Sequence, residues 1–157
     1  MLVKEVMTKK PVTFGPEDKI VDAIQVLKDE SINGAPVMDK NKFVGLLTTE
    51  DVLDYMEIHD FAKEYAKDII LPIPFDAVEL ILEMREEMDE IKKEVNKIKK
   101  TKVKEIMNKK PVTVGPSMHV SEAAVLMSDK KITHLPVVEE GKLLGLVTRS
   151  DLLKSLI

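Results

Sequence analysis

Two short patterns carry the side chains best suited to chemistry in this chain. Thr48-Thr49-Glu50-Asp51 and Thr148-Arg149-Ser150-Asp151 each set a hydroxyl three residues before a carboxylate. A carboxylate at Asp51 or Asp151 can accept hydrogen bonds from both hydroxyls of a ribose. A threonine that opens a helix offers its hydroxyl and nearby backbone N–H groups to a phosphate. The same spacing is also a helix cap, in which threonine and aspartate bond only to the local backbone. The patterns differ in charge: Arg149 and Ser150 stand where the first has Thr49 and Glu50. Arg149 has a second reading as a solvated surface residue.

The elements that must position these residues also occur twice. Val3-Lys4-Glu5-Val6-Met7 returns as Val103-Lys104-Glu105-Ile106-Met107, and the match runs without a gap to Leu53 and Leu153. The offset is about 100 residues and roughly two positions in five are identical, as for two copies of one supersecondary unit. Lys10-Pro11-Val12-Thr13-Phe14 and Lys110-Pro111-Val112-Thr113-Val114 read as short strands entering a Gly-Pro turn. Ile20, Ala23, Ile24 and Leu27, and again Val120, Ala123, Ala124 and Met127, fall at helical spacing. Ala35-Pro36-Val37-Met38 and Leu135-Pro136-Val137-Val138 read as brief buried strands, followed after a turn by Phe43–Leu47 and Leu143–Val147. Thr48 and Thr148 then stand where a strand hands over to a helix. Units of about 50 residues are small to be stable alone, so the two are expected to pack together around a cleft.

The segment between the copies reads differently. Leu71-Pro72-Ile73-Pro74 breaks a helix that extends the first copy. Ile81, Met84, Met88, Ile91, Val95 and Ile98 then step by threes and fours, a heptad seam over about three repeats. In a parallel dimer, Glu87 would face Lys92 and Glu94 would face Lys99, with complementary charge. The seam is therefore expected to support a homodimer or higher homo-oligomer. The competing reading packs it onto the chain's own body, since so short a coiled coil is marginal alone.

Composition removes several classes. There is no cysteine among the 157 residues, so disulfides, thiol catalysis and cysteine metal sites are excluded. His59, His119 and His134 lack metal-ligand spacing, and no Gly-rich phosphate loop or nucleophile elbow is present. No catalytic constellation emerges, so an enzyme is not expected. A net charge of −4 gives no general attraction to nucleic acid or to acidic membranes. The lysines between Lys92 and Lys110 read as a solvated helix face favoured by the helix dipole; a nucleic-acid stripe is the alternative. No signal-like or membrane-spanning segment is read, and the expectation is a soluble, cytoplasmic protein.

The repeat resembles the cystathionine-β-synthase-type (CBS) domain, and the pair resembles a CBS tandem, or Bateman module. The resemblance rests on Val-Lys-Glu-Val-Met with Lys-Pro-Val-Thr, on Ile32-Asn33-Gly34-Ala35-Pro36-Val37 echoed by Ile132-Thr133-His134-Leu135-Pro136-Val137, and on Gly45-Leu46-Leu47-Thr48-Thr49-Glu50-Asp51 echoed by Gly145-Leu146-Val147-Thr148-Arg149-Ser150-Asp151. It implies an α/β fold with short three-stranded sheets and helices, two pseudo-symmetric repeats at 1–53 and 103–157, and a long helical insert at 54–102. It further implies a regulatory sensor that binds AMP, ADP, ATP (with Mg²⁺ in that case) or S-adenosylmethionine, requires no resident cofactor, and acts on an unknown protein target. A ligand-independent dimerisation scaffold is the other reading. Main-chain groups at Ile32, Gly34, Ala35 and Pro36, and at Ile132, His134, Leu135 and Pro136, would read the adenine edge. Thr48 with Asp51, and Thr148 with Arg149 and Asp151, would hold ribose and phosphate, with Thr13 and Thr113 nearby. The resemblance makes His134 a basic, phosphate-contacting position. A phosphorylated nucleotide is thus expected at the Asp151 site, in the cleft holding Thr113. The Asp51 site is expected to be empty, structural, or suited to an uncharged or cationic adenosine compound, because Glu50 would repel a phosphate.

Overall fold

The computed structural model describes residues 1–55, 96–97 and 99–157. The heptad seam and the Leu71–Pro74 break lie outside these residues. In the first copy α1 spans Val3–Val6, α2 Ile20–Asp29, β1 Gly34–Asp39, β2 Lys42–Thr48 and α3 Thr49–Tyr55. The order recurs as α4 Val103–Ile106, α5 Val120–Lys130, β3 His134–Glu139, β4 Lys142–Thr148 and α6 Arg149–Lys154.

Local chemistry accounts for each element. Helix α2 buries Ile20, Ala23 and Leu27, one apolar stripe at steps of three and four. Strands β1 and β2 form an antiparallel hairpin whose register runs from Gly34 opposite Thr48 to Asp39 opposite Lys42, with a bulge between Val37 and Met38. The β3–β4 hairpin repeats that register position for position, from His134 opposite Thr148, and places its bulge between Val137 and Val138. The two backbones are thus laid out alike, and later differences between the copies must come from side chains.

The strand expected at Lys10–Phe14 is reduced to a single bridging residue. Phe14 pairs in parallel with Val37, donating to the Pro36 carbonyl at 3.0 Å and accepting from the Met38 N–H at 2.8 Å. Pro11 has no N–H to offer, which removes a ladder bond just where the strand would extend. Each sheet is therefore a hairpin widened by one bridging residue on either side.

The outer bridge comes from the other copy. The Thr8 N–H donates to Leu146 at 2.9 Å and its carbonyl accepts from Leu146 at 3.0 Å; Asn108 makes the reciprocal pair with Leu46 at 2.9 and 3.0 Å. The leading helices are exchanged as well. Val3 donates to Met118 at 2.8 Å, and Val103 donates to Asp18 at 2.9 Å. Val103 accordingly sits in the core of Phe14, Ile20, Leu27, Leu47 and Leu53, whereas Val3 sits in that of Val114, Met127, Leu135 and Val147. Every such contact occurs twice with the copies interchanged, which is a pseudo-twofold arrangement. Each hydrophobic core borrows its leading helix across that axis.

Neither half can then lose its core without disturbing the other. Val103→Ala is expected to cost about 2 kcal/mol, the transfer and cavity terms for a fully buried valine. Thermal unfolding should remain one transition at lower temperature, and a melt that splits into two would contradict the exchange. One flank adds charge to the join: Glu17 accepts from Lys102 and Lys104, both at 2.6 Å. These two hydrogen bonds hold the Glu17 carboxyl down at about 2, but the pairs are exposed and contribute little.

Candidate functional site

The residues that could do chemistry sit where a strand turns into a helix. Thr148 ends β4 and caps α6, donating its N–H and Oγ1–H to Asp151 Oδ2 at 2.9 and 3.0 Å. The Asp151 N–H returns a bond to Thr148 Oγ1 at 3.3 Å. Thr48 and Asp51 repeat the box at 2.8, 2.9 and 3.3 Å. The capping reading of this spacing is therefore correct, and it does not use up the carboxylates. Only Oδ2 is engaged, so each aspartate is held rigidly while Oδ1 keeps no protein partner among the described residues. A carboxylate fixed by one oxygen and free at the other is well prepared to receive a donor.

Two of the clefts that contain these aspartates pair a Thr–Asp junction with residues of the other hairpin, and they are built crosswise. The Asp151 cleft, about 630 Å³, takes Thr148 to Asp151, Leu153 and Lys154 from the second copy, but Lys10, Pro11, Val12 and Ser31 to Gly34 from the first. The Asp51 cleft, about 150 Å³, takes Thr48, Glu50 and Asp51 from the first copy, but Lys110, Pro111, Val112 and Ile132 to His134 from the second. The exchange of leading segments produces this directly, because the chain leaving Thr8 beside Leu146 carries Lys10 to Val12 into the opposite cleft.

Several expected residues are redistributed as a result. Ile32 and Gly34 line the cleft of Asp151, and Ile132 lines that of Asp51. Ala35 and Leu135 are fully buried in the two cores, and Pro36 and Pro136 are buried with them; none of the four lines a cleft. Thr13 and Thr113 are exposed and line neither cleft, so Thr113 is not in the Asp151 cleft as expected. Its neighbours Pro111 and Val112 face Asp51 instead. Arg149 does line the Asp151 cleft, while its counterpart Thr49 is buried. Lys10, Lys110 and Lys154 line the clefts without being expected there, and Asn33 falls within the expected Ile32–Pro36 stretch. The doubled Lys-Pro-Val is the available signal, but its pattern reads as a strand and, within the resemblance, as a shared element with no ligand role attached.

The electrostatics sharpen the contrast. Lys10, Arg149 and Lys154 surround the larger cleft. In the smaller one, burial raises the Asp51 carboxyl above the usual carboxylate range, with Asp54 and Glu50 adding to the rise against the bonds from Thr48. His134 lines both clefts and is only 6% exposed. Burial lowers its pKa to about 4, against the opposing pull of Asp151. The imidazole is thus neutral at pH 7, which corrects its expected role as a phosphate-side cation. Its Nδ1 pairs with Thr133 Oγ1 at 2.8 Å. Helix α6 has six residues, too few for a strong dipole, so side-chain cations must supply the attraction for an anion. Among the described residues no cluster of His, Cys, Asp or Glu could hold a metal, and no helix is long and apolar enough to cross a membrane.

Fold and clefts together define a tandem-repeat module with a ligand-sized cleft lined by both copies. The CBS domain family model matches residues 3–58 and 103–157, and the chain belongs to the CBS-domain family. An uncharacterised protein of Methanocaldococcus jannaschii is 36% identical over 159 residues, covering 100% of this chain and 92% of that protein. The CBS domain pair of protein MJ0100, solved in complex with 5′-methylthioadenosine and S-adenosyl-L-methionine, superposes with a TM-score of 0.67 at 22% identity, covering 99% of this chain and 95% of that one. CBSX2, solved in complex with AMP, gives 0.69 at 24% identity with coverage of 99% and 95%.

Proposed function

We propose that this protein is a regulatory module that binds one adenosine phosphate in the Asp151 cleft. The observation that carries the reading is the coincidence of size and charge. The cleft has the volume of a small-molecule site, and Lys10, Arg149 and Lys154 line it together with a carboxylate held ready for ribose. S-Adenosylmethionine, which is cationic, would meet those same cations, so a phosphorylated nucleotide fits better. Mg²⁺ would accompany ATP on its own phosphate oxygens. The adenosine compounds bound by MJ0100 and CBSX2 support the ligand class.

A nucleotide here would touch both copies, Thr148 to Asp151 from one and Lys10 to Val12 with Ile32 to Gly34 from the other. It would therefore favour the arrangement of the halves in which all these groups converge. It shifts that equilibrium only by its difference in affinity between arrangements. The exposed apolar side chains of Val125 on α5, Leu153 on α6 and Leu156 just beyond it, 60%, 64% and 80% exposed, support self-association as the route by which a signal leaves the module.

Calorimetric titration with AMP, ADP, ATP and S-adenosylmethionine tests the reading. Asp151→Asn keeps an acceptor for the helix cap but replaces the free oxygen with an amide N–H₂. Losing two hydroxyl-to-carboxylate bonds should weaken adenosine phosphates about 100-fold, while Asp51→Asn leaves them unchanged. Binding that survives Asp151→Asn, or no binding by any phosphate, would overturn the proposal in favour of a dimerisation scaffold.

A further inference from the structure

Every position lining the smaller cleft, about 150 Å³, recurs one repeat away in the larger, about 630 Å³, which adds Ser31, Thr133, His134, Arg149, Leu153 and Lys154. Lysine, proline, valine, isoleucine, leucine, threonine and aspartate recur identically in both linings. Thr8 and Asn33 in the larger cleft correspond to Asn108 and Thr133 in the smaller, the same pair of residue types with places exchanged. Within that shared set, two differences change the bulk of the lining. Gly34 is replaced by His134, and Ser150 by Glu50. The hairpins that carry positions 34 and 134 have identical register, so each copy presents that position at the same place beside its cleft.

His134 and Gly34 meet at the axis. A Cβ placed on Gly34 would lie 3.1 Å from His134 Nε2, 3.0 Å from Thr48 Cγ2 and 3.1 Å from the Leu47 carbonyl oxygen. The axis therefore has room for one imidazole and not for a second side chain. The histidine's Nε2 makes no protein hydrogen bond among the described residues, although the ring is more than nine-tenths buried. A buried nitrogen without a partner costs stability, so this ring is not explained by its own bonds. What it does achieve is to fill space.

We propose that His134 limits the module to a single nucleotide by occupying the Asp51 cleft, whose shared positions, Glu50 apart, otherwise repeat those around Asp151. Glu50 reinforces the exclusion by charge, since it sets an anion where the larger cleft has Ser150. The inference rests on the function proposed above for the Asp151 cleft.

Titration of AMP reads the number of sites directly. The wild-type chain should take one equivalent, and Glu50→Ser alone should still take one, because the imidazole remains. The double variant His134→Gly/Glu50→Ser should take two, the second more weakly because Thr49 and Asp54 stand where the larger cleft has Arg149 and Lys154, and adding Asp51→Asn should return it to one. Two equivalents in the wild type or in Glu50→Ser, or one in both the wild type and the double variant, would overturn the proposal. If loss of the ring prevents folding, seen as loss of the cooperative melt, His134→Ala with Glu50→Ser makes the same prediction with a smaller cavity. The two readings fail separately. No binding by the wild type with one equivalent in the double variant would sink the nucleotide site at Asp151 and leave the role of His134 standing. No binding by either would sink both.

Discussion

Replacing Gly145 by alanine is expected to lower the melting midpoint by roughly 10 °C and to abolish nucleotide binding, although residue 145 lines neither cleft. The added Cβ would lie 2.6 Å from the Thr8 carbonyl oxygen and 2.8 Å from Met7 Sδ. The methionine can rotate away, but the carbonyl belongs to the exchanged segment, where Thr8 is fixed by one bond from its N–H to Leu146 and one to its carbonyl from Leu146. Relief requires Thr8 to move off the β4 edge, giving up those bonds as well as incurring the overpacking cost. The sum is about 3 kcal/mol, which for a chain of this size corresponds to a shift of that order in midpoint. Binding is lost because Thr8 leads directly into Lys10, Pro11 and Val12, the first copy's wall of the Asp151 cleft. Gly115→Ala is the control, since nothing lies within 4 Å of its Cβ position. Equal melting curves for the two variants would mean that the bridge between Thr8 and Leu146 is not what holds the halves together.

The same glycine shows where reading the sequence succeeds and where it stops. The doubled Gly-Leu-(Leu/Val)-Thr is legible as a strand leading to a helix, and the hairpins, the α2 stripe and the Thr–Asp junctions stand where the pattern places them, while in α5 Ala123 and Met127 are buried and Ala124 is exposed. Each of these is decided by residues close together in the chain. The partner of Gly145 is not, because it is more than a hundred residues away. Val3 and Val103 are chemically identical and either would fill either core, so no periodicity could reveal that they are exchanged. That one fact moved Ile132 to the other cleft and brought in Lys10 and Lys110. His134 failed for a related reason. Its titratable side chain is visible in the sequence, but its charge is set by how much water reaches the axis, and that depends on Gly34 in the other copy.

The buried imidazole also makes stability depend on pH in a direction that can be stated. His134 is neutral when folded down to about pH 4, whereas in the unfolded chain it takes up a proton near the ordinary 6.5. The unfolded state therefore binds more protons between these values, and stability falls as the pH is lowered through them. The full stabilisation is present above about pH 6.5. A separation of this size corresponds to a loss of about 3 kcal/mol by pH 4. Asp51 works the other way, since its raised carboxyl pKa makes the folded state take up a proton before the unfolded one does. Glu17, held at about 2, loses its stabilising effect only as the pH falls below the ordinary carboxylate range toward that value. Both carboxylates remain in His134→Gln, so comparing denaturant midpoints of that variant and the wild type isolates the imidazole. The wild-type stability should fall more steeply between pH 7 and pH 4, with the two curves diverging from about pH 6.5 downward. Parallel curves would mean that water reaches the ring in the folded protein. An imidazole open to water could not be filling the Asp51 cleft, so this measurement, which needs no ligand, also bears on why the module holds one nucleotide rather than two.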